Sequence, residues 1–245
     1  MGSSVCEAVA GDADLELAAA VDPHADRETR SGIRVSADLR AFADAHCDVV
    51  VDFTVADAAR ATLPWLAMHG IHAVVGTTGL TDADLELIRS AFGAGPAHCL
   101  IAPNFAISAV LMMRFAEIAA PFFDTAEIVE YHHDQKVDAP SGTAVTTADR
   151  MAAARHQPWA ADPTRYEVLP GARGGEGASG IRVHAVRMRG MIAHQEVILG
   201  AQGQSLTIRQ DSYDRVSFMP GVVLACKRVA DHPGVTVGLD KYLQL

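Results

Sequence analysis

The stretch Asp48-Val49-Val50-Val51-Asp52-Phe53, followed by the pattern Ala56 to His69 and then His72-Ala73-Val74-Val75, decides the fold class. Two short apolar runs joined by an amphipathic helical pattern are the grammar of parallel strands linked by a crossover helix. The alternation continues outward in both directions. Upstream, Leu15 to Val21 reads as a strand. Downstream, a helix over Thr81 to Phe92 opens with Thr81 and acids in its first turn, and Cys99 to Ala102 reads as a further strand. A helix over Ile107 to Ala119 follows, stopped before Pro121. The first half is therefore expected to be a parallel sheet wrapped by helices.

Beyond Pro121 the grammar changes. Thr125 to Tyr131 alternates like a half-buried strand, a helix is expected over Ser141 to His156, and Gln157 to Ser179 is rich in Pro and Gly. Ile181 to Met188, His194 to Leu199 and Ser205 to Gln210 read as three strands of an antiparallel meander. Val222 to Val229 reads as a helix that returns to the first domain. The expected architecture is α/β: a dinucleotide-binding, Rossmann-like domain over 1–104 and 213–245, and a second α+β domain with a mixed or antiparallel sheet over 105–212.

The length of 245 residues, 49% of them hydrophobic, suits one or two domains with a sizeable core. Thirty acidic against 20 basic residues give a formal charge of −10, the wrong sign for a nucleic-acid partner or an electrostatically held membrane protein. Only Lys136, Lys227 and Lys241 are lysines, so each asks for a reason. Cys6, Cys47, Cys99 and Cys226 show no CxxC spacing, and no segment approaches the roughly 18 apolar residues of a membrane span. The expected setting is cytoplasmic.

A dinucleotide-binding unit opens with a strand, a Gly-rich turn, a helix, and a second strand ending in an acid about 20 residues beyond the glycines. Here Met1-Gly2-Ser3-Ser4 runs straight into a helical pattern, and the strand Leu15 to Val21 ends at Asp22. On that spacing Gly2 is the last glycine of the turn and Asp22 accepts hydrogen bonds from a ribose diol; the competing reading of Asp22 is a strand-ending turn residue. The expectation that follows is an N-terminally truncated chain, lacking the first strand and most of the glycine loop, with Met1 an internal methionine of the glycine motif.

The densest polar cluster runs from Glu130 to Ala144: Glu-Tyr-His-His-Asp-Gln-Lys-Val-Asp-Ala-Pro-Ser-Gly-Thr-Ala. It follows a strand and precedes a helix for which Ser141 is a good N-cap, with Gly142 and Thr143 supplying backbone N–H groups to a carboxylate or phosphate. His132, His133 and Lys136 place three groups able to carry positive charge within five positions. In an arginine-dominated chain, lysine at 136 favours a proton donor, because arginine cannot release a proton at neutral pH. Other readings of the cluster are a histidine-capped loop, an ordinary surface lysine, and a metal site through His132, His133, Asp134 and Asp138. The spacing is not that of a HExxH site, and no metal is expected.

The run Glu130 to Ala144, with its His-His-x-x-Lys-x-Asp-Ala-Pro-Ser-Gly-Thr-Ala core, resembles the signature of the 4-hydroxy-tetrahydrodipicolinate reductase family. The resemblance extends through Val51-Asp52-Phe53-Thr54, Gly76-Thr77-Thr78-Gly79, Ala102-Pro103-Asn104-Phe105, Leu169-Pro170-Gly171-Ala172-Arg173, Val183-His184-Ala185-Val186-Arg187 and Ala193-His194-Gln195-Glu196. It implies that His132 is the acid/base residue and Lys136 the proton donor, and that His133, Gly142 and Thr143 hold a small dicarboxylate substrate. It also implies that Met1, Gly2, Asp22, Gly76, Thr77, Thr78, Ala102, Pro103, Asn104 and Phe105 contact NADH or NADPH, and that the chain forms a homotetramer through its second domain.

The reaction so implied is NAD(P)H-dependent reduction of 4-hydroxy-tetrahydrodipicolinate to tetrahydrodipicolinate, in the diaminopimelate pathway of lysine biosynthesis. Asp22 favours a free 2′-hydroxyl and hence NADH, while His24 and Arg27 lie close enough in sequence to take a 2′-phosphate. The competing readings are a related amino-acid dehydrogenase, against which the complete His-His-x-x-Lys motif speaks, and a non-catalytic or cofactor-impaired relative.

Overall fold

The computed structural model describes residues 1–24, 29 and 31–244; Arg27 lies outside the described residues. In chain order the elements are α1 (Gly2–Ala10), β1 (Ala20–Val21), β2 (Val35–Ser36), α2 (Arg40–Asp44), β3 (Val49–Asp52), α3 (Ala56–Met68), β4 (His72–Val75), α4 (Asp82–Gly93), β5 (Cys99–Ile101) and α5 (Ile107–Ala119). They continue with β6 (Thr125–His132), α6 (Gly142–Ala153), β7 (Gly175–Glu176), β8 (Arg182–Arg187), β9 (Ala193–Ala201), β10 (Gln204–Ser212), α7 (Met219–Arg228) and β11 (Val235–Val237). Two compact units result: Met1–Ile107 together with the segment from Arg215 onward, and Ser108–Asp214.

The first unit is Rossmann-like. Its four-stranded sheet runs β11-β5-β4-β3, every pair parallel. Val74 and Leu100 are fully buried, as the continuous apolar runs require when helices cover both faces. Leu63 and Leu66 of α3 and Ile88 and Phe92 of α4 join Ala73, Val75 and Cys99 in one core. Thr81 starts α4 with a full capping box, its hydroxyl accepting from Asp84 N–H while the Asp84 carboxylate accepts from Thr81 N–H. Arg60 of α3 then forks onto the same carboxylate at 2.8 and 3.0 Å, which fixes the two helices to each other.

Two expectations for this unit change. Leu15 to Val21 is a strand only at Ala20–Val21, because β2 offers only Val35 and Ser36 as partners; the pair forms a separate parallel sheet. Strand β11, too short to read as a strand by itself, is held by Cys99 N–H on Gly234 C=O and Gly238 N–H on Ile101 C=O.

The second unit has a mixed sheet in the order β10-β9-β6-β8-β7. The expected meander is corrected: β8 does not pair with β9, because β6 lies between them, antiparallel to β9 and parallel to β8. Helix α6 and the Pro/Gly-rich loop after it form the crossover that a parallel β6–β8 pair demands. Ion pairs hold that loop down: Arg173 donates to Glu127 at 2.6 Å and to Asp162 at 3.3 Å, and Arg182 meets Asp162 at 3.2 Å. Burial pushes the Glu127 carboxyl up, but hydrogen bonds from Arg173 and His184 outweigh it and hold the group below its ordinary value. Among the described residues no helix is long and apolar enough to cross a membrane.

Candidate functional site

Side chains at alternate positions of a strand share a face, so Ile128, Glu130 and His132 point the same way from β6. Ile128 and Glu130 are fully buried, while His132 sits at the strand's end, half-buried. A carboxylate in that interior needs every lone pair occupied. Glu130 Oε2 accepts from His132 Nδ1 at 2.6 Å and from Arg187 Nη1 at 2.8 Å; Oε1 accepts from Arg187 Nη2 at 2.8 Å and from Ser141 N–H at 3.0 Å. Burial alone would raise the carboxyl, but its bonds from His132, Arg187 and Ser141 prevail and hold the pKa at about 2. Glu130 is therefore ionised and can only accept, so the proton of the 2.6 Å bond belongs to His132 Nδ1.

The loop after β6 is anchored to the same cluster, since Arg187 Nη2 also donates to Asp138 C=O at 2.6 Å. Lys136 Nζ grips the Asp138 carboxylate at 2.8 and 2.9 Å, which lowers the Asp138 carboxyl. His133 is exposed. Ser141 caps α6 as expected, its hydroxyl accepting from Ala144 N–H at 3.3 Å. Gly142, at the first helical position, borders open space, and Thr143 is half-buried beside it. His132, Lys136, Gly142 and Thr143 thus stand on one strand–loop–helix segment whose two ends meet at Glu130.

In the first unit the predicted cofactor residues divide into two groups. Asp52, Val75 and Ile101 are register neighbours at the carboxyl ends of β3, β4 and β5, so the loops that follow lie side by side. That end of a parallel sheet is where such folds bind ligands. Gly76 N–H donates to Asp52 C=O at 2.8 Å and Ala102 N–H to Val75 C=O at 2.9 Å, extending the ladder into the loops. Buried Asp52 holds them in place: Oδ1 accepts from Thr54 N–H, Thr54 Oγ1 and Thr77 Oγ1 at 2.8, 2.7 and 2.8 Å. A Cβ at Gly76 would lie 2.1 Å from the Phe53 ring, which in turn packs 5.4 Å from the Phe105 ring. Thr78 and Pro103 are exposed, Ala102 is buried, and Asn104 accepts from Ala106 N–H at 2.9 Å.

Met1 and Gly2 begin α1, and Asp22 lies beyond β1 on the separate two-stranded sheet. One Asp22 oxygen accepts from His24 N–H at 2.9 Å, which is a turn contact. The glycine packed on Phe53 and the adjacent loops at the strand ends fit a nicotinamide dinucleotide.

The sequence reading gave no role to Glu130, Arg187 or Asp52. A glutamate on the inward face of an alternating strand was the available signal for the first. The resemblance segments around His184 and His194 turn out to be structural locks, with His184 Nε2 on Glu127 at 2.8 Å and His194 Nδ1 on Asp211 at 2.7 Å.

Residues 1–105 match the model described as dihydrodipicolinate reductase, N-terminus, and residues 108–243 match its C-terminal counterpart. A 4-hydroxy-tetrahydrodipicolinate reductase of Corynebacterium urealyticum is 50% identical over 248 residues, covering 100% of this chain and 95% of the relative. One from Cutibacterium acnes is 50% identical over 249 residues with the same coverage. A dipicolinate-bound dihydrodipicolinate reductase from Paenisporosarcina sp. TG-14 superposes with a TM-score of 0.88 at 37% identity, covering 98% of this chain and 94% of that one.

These matches correct the expectation of an N-terminally truncated member, since both halves of the family are matched and relatives align over 100% of this chain. The family's N-terminal half is matched from residue 1 and its C-terminal half through residue 243. With both halves matched, the chain belongs to the dihydrodipicolinate reductase family.

Proposed function

We propose that His132 and Lys136 carry the proton chemistry of this chain's reaction, and that His133, Gly142 and Thr143 hold the substrate's carboxylates. The chain acts as an NAD(P)H-dependent oxidoreductase that reduces 4-hydroxy-tetrahydrodipicolinate in the diaminopimelate route to lysine. The observation that carries the residue assignment is the bond from His132 Nδ1 to buried Glu130, which leaves Nε2 as the ring atom for proton exchange.

A nicotinamide dinucleotide, when bound, would supply a hydride. Gly76, Thr77 and Thr78 with Ala102, Pro103, Asn104 and Phe105 are the residues that would hold it, and Met1, Gly2 and Asp22 would serve its adenosine half. The substrate's 4-hydroxyl leaves as water, giving a C=C bond conjugated with the imine and its carboxylate; hydride addition to that system builds negative charge, which an acid must quench with one proton, so that one hydride and one proton enter and one water leaves. Lys136 has three N–H donors, of which Asp138 engages two, so one remains for the substrate. The exposed His133 and the open start of α6 suit an anionic carboxylate.

Asp22 supports a preference for NADH over NADPH, since a carboxylate repels a 2′-phosphate. Assembly as a homotetramer through the second unit is supported by the strongly exposed Phe122, Tyr166, Val168 and Leu169. A cytoplasmic setting is supported by four free thiols.

The test is steady-state kinetics on Lys136→Ala and His132→Ala. Each is expected to lower kcat by about 10²- to 10⁴-fold, the usual worth of general acid–base help. Wild-type turnover in either variant removes that residue from the mechanism. The ratio of kcat/KM for NADH and NADPH decides the cofactor preference.

A further inference from the structure

We propose that Glu130 and Arg187 act together as the positioning pair for His132: Arg187 and the start of α6 fix the carboxylate, and the carboxylate fixes the imidazole with Nδ1 inward and Nε2 outward. The proposal rests on His132 being a proton-transfer residue, and it adds what sets that residue's tautomer and direction.

The geometry assigns each contact a task. The arginine fork supplies one bond to each carboxylate oxygen and leaves a second site on each; on Oε2 that site is taken by His132, whose bond is the shortest of the four at 2.6 Å. The pair His132 and Arg187 are also register neighbours on the parallel strands β6 and β8, so the strand ladder brings them together. Oε1 accepts from Ser141 N–H, immediately before Gly142 and Thr143, so one carboxylate sets both the ring and the helix start. A displacement of Glu130 would therefore move the proton-transfer residue and the anion-facing helix end together.

The charges around the ring come from several elements. Glu130 is on the ring's own strand and Arg187 is on β8. Lys136 and Asp138 on the following loop pair with each other, and Arg187 also holds the Asp138 backbone. On the β9 side His132 faces uncharged Ala193, while the next residue, His194, is engaged by Asp211.

This arrangement makes a prediction that a merely structural ion pair does not. In protein labelled with ¹³C and ¹⁵N histidine, the His132 signals are assigned by their absence from His132→Gln, and the ¹⁵N shifts of the neutral ring report which nitrogen carries the proton. The wild type is expected to hold the Nδ1–H form. In Glu130→Gln one oxygen is left for the bonds from Arg187, Ser141 and His132, so the ring is expected to lose its single tautomer and kcat to fall about tenfold or more with KM little changed. Arg187→Met, which leaves the carboxylate without its fork, is expected to loosen the same preference. Glu130→Asp keeps the acceptor one methylene further back and is expected to give an intermediate loss, which keeps the proposal testable if Glu130→Gln does not fold. A wild-type tautomer population retained in the folded Glu130 and Arg187 variants overturns the proposal. The tautomer reports on the pair alone, whereas kcat of His132→Ala reports on the catalytic reading, so the two failures are distinguishable.

Discussion

At Glu130 burial and charge oppose each other, and the outcome has a pH dependence that can be measured. The carboxyl is at about 2 in the folded chain, below the roughly 4.3 of an unfolded glutamate. A depressed acid stabilises the fold above its unfolded pKa, and that contribution is lost as pH falls through the interval down to the folded value. The interval corresponds to a contribution on the order of 3 kcal/mol at neutral pH. Urea unfolding of the wild type and Glu130→Gln should therefore show a stability difference at neutral pH that shrinks by about pH 3. A difference that stays constant across that range contradicts the assignment of an ionised, hydrogen-bonded Glu130. The histidines and Lys136 were legible in the sequence because their residue types and crowding are unusual in this chain. Their support was not, because Arg187 lies 57 positions from Glu130 and only strand pairing brings it alongside.

Among the elements, close approaches decide how exactly helices and loops seat. The start of α7 passes so near the Phe105 backbone that a Cβ on Gly221 would stand 2.1 Å from its carbonyl oxygen. Gly221→Ala is expected to cost about 1–3 kcal/mol of stability, and weaken NADH binding, because backbone cannot step aside. At Gly76 the obstruction is the Phe53 ring, a side chain. Gly76→Ala and Phe53→Ala should therefore be less destabilising together than the sum of the two, with a coupling of about 0.5–3 kcal/mol in urea unfolding. Strict additivity would show that the ring does not constrain the glycine. Strands β3 and β4 and helices α4 and α5 were readable because each carries its own signal, an apolar run or a cap. The placement of β8 was not, since whether a strand joins β6 or β9 depends on pairing rather than on its own residues. Strand β11 escaped notice because three residues between two glycines carry too little pattern.

For the whole molecule, a second unit follows from the change of grammar after Pro121, and the net charge of −10 makes the anion-facing cations a local matter. Oligomeric state carries no local signature of that kind. The exposed apolar residues of the second unit predict burial in an assembly, and sedimentation velocity is expected to give about four times the 25.9 kDa chain mass. A monomer at assay concentration would remove the homotetramer from the account. The central claim is that this chain reduces 4-hydroxy-tetrahydrodipicolinate with a nicotinamide cofactor. The direct measurement follows nicotinamide absorbance and product together after substrate is added to the purified chain with NADH or NADPH. One cofactor oxidised for each tetrahydrodipicolinate formed is the predicted result; no cofactor oxidation, or oxidation without that product, contradicts it.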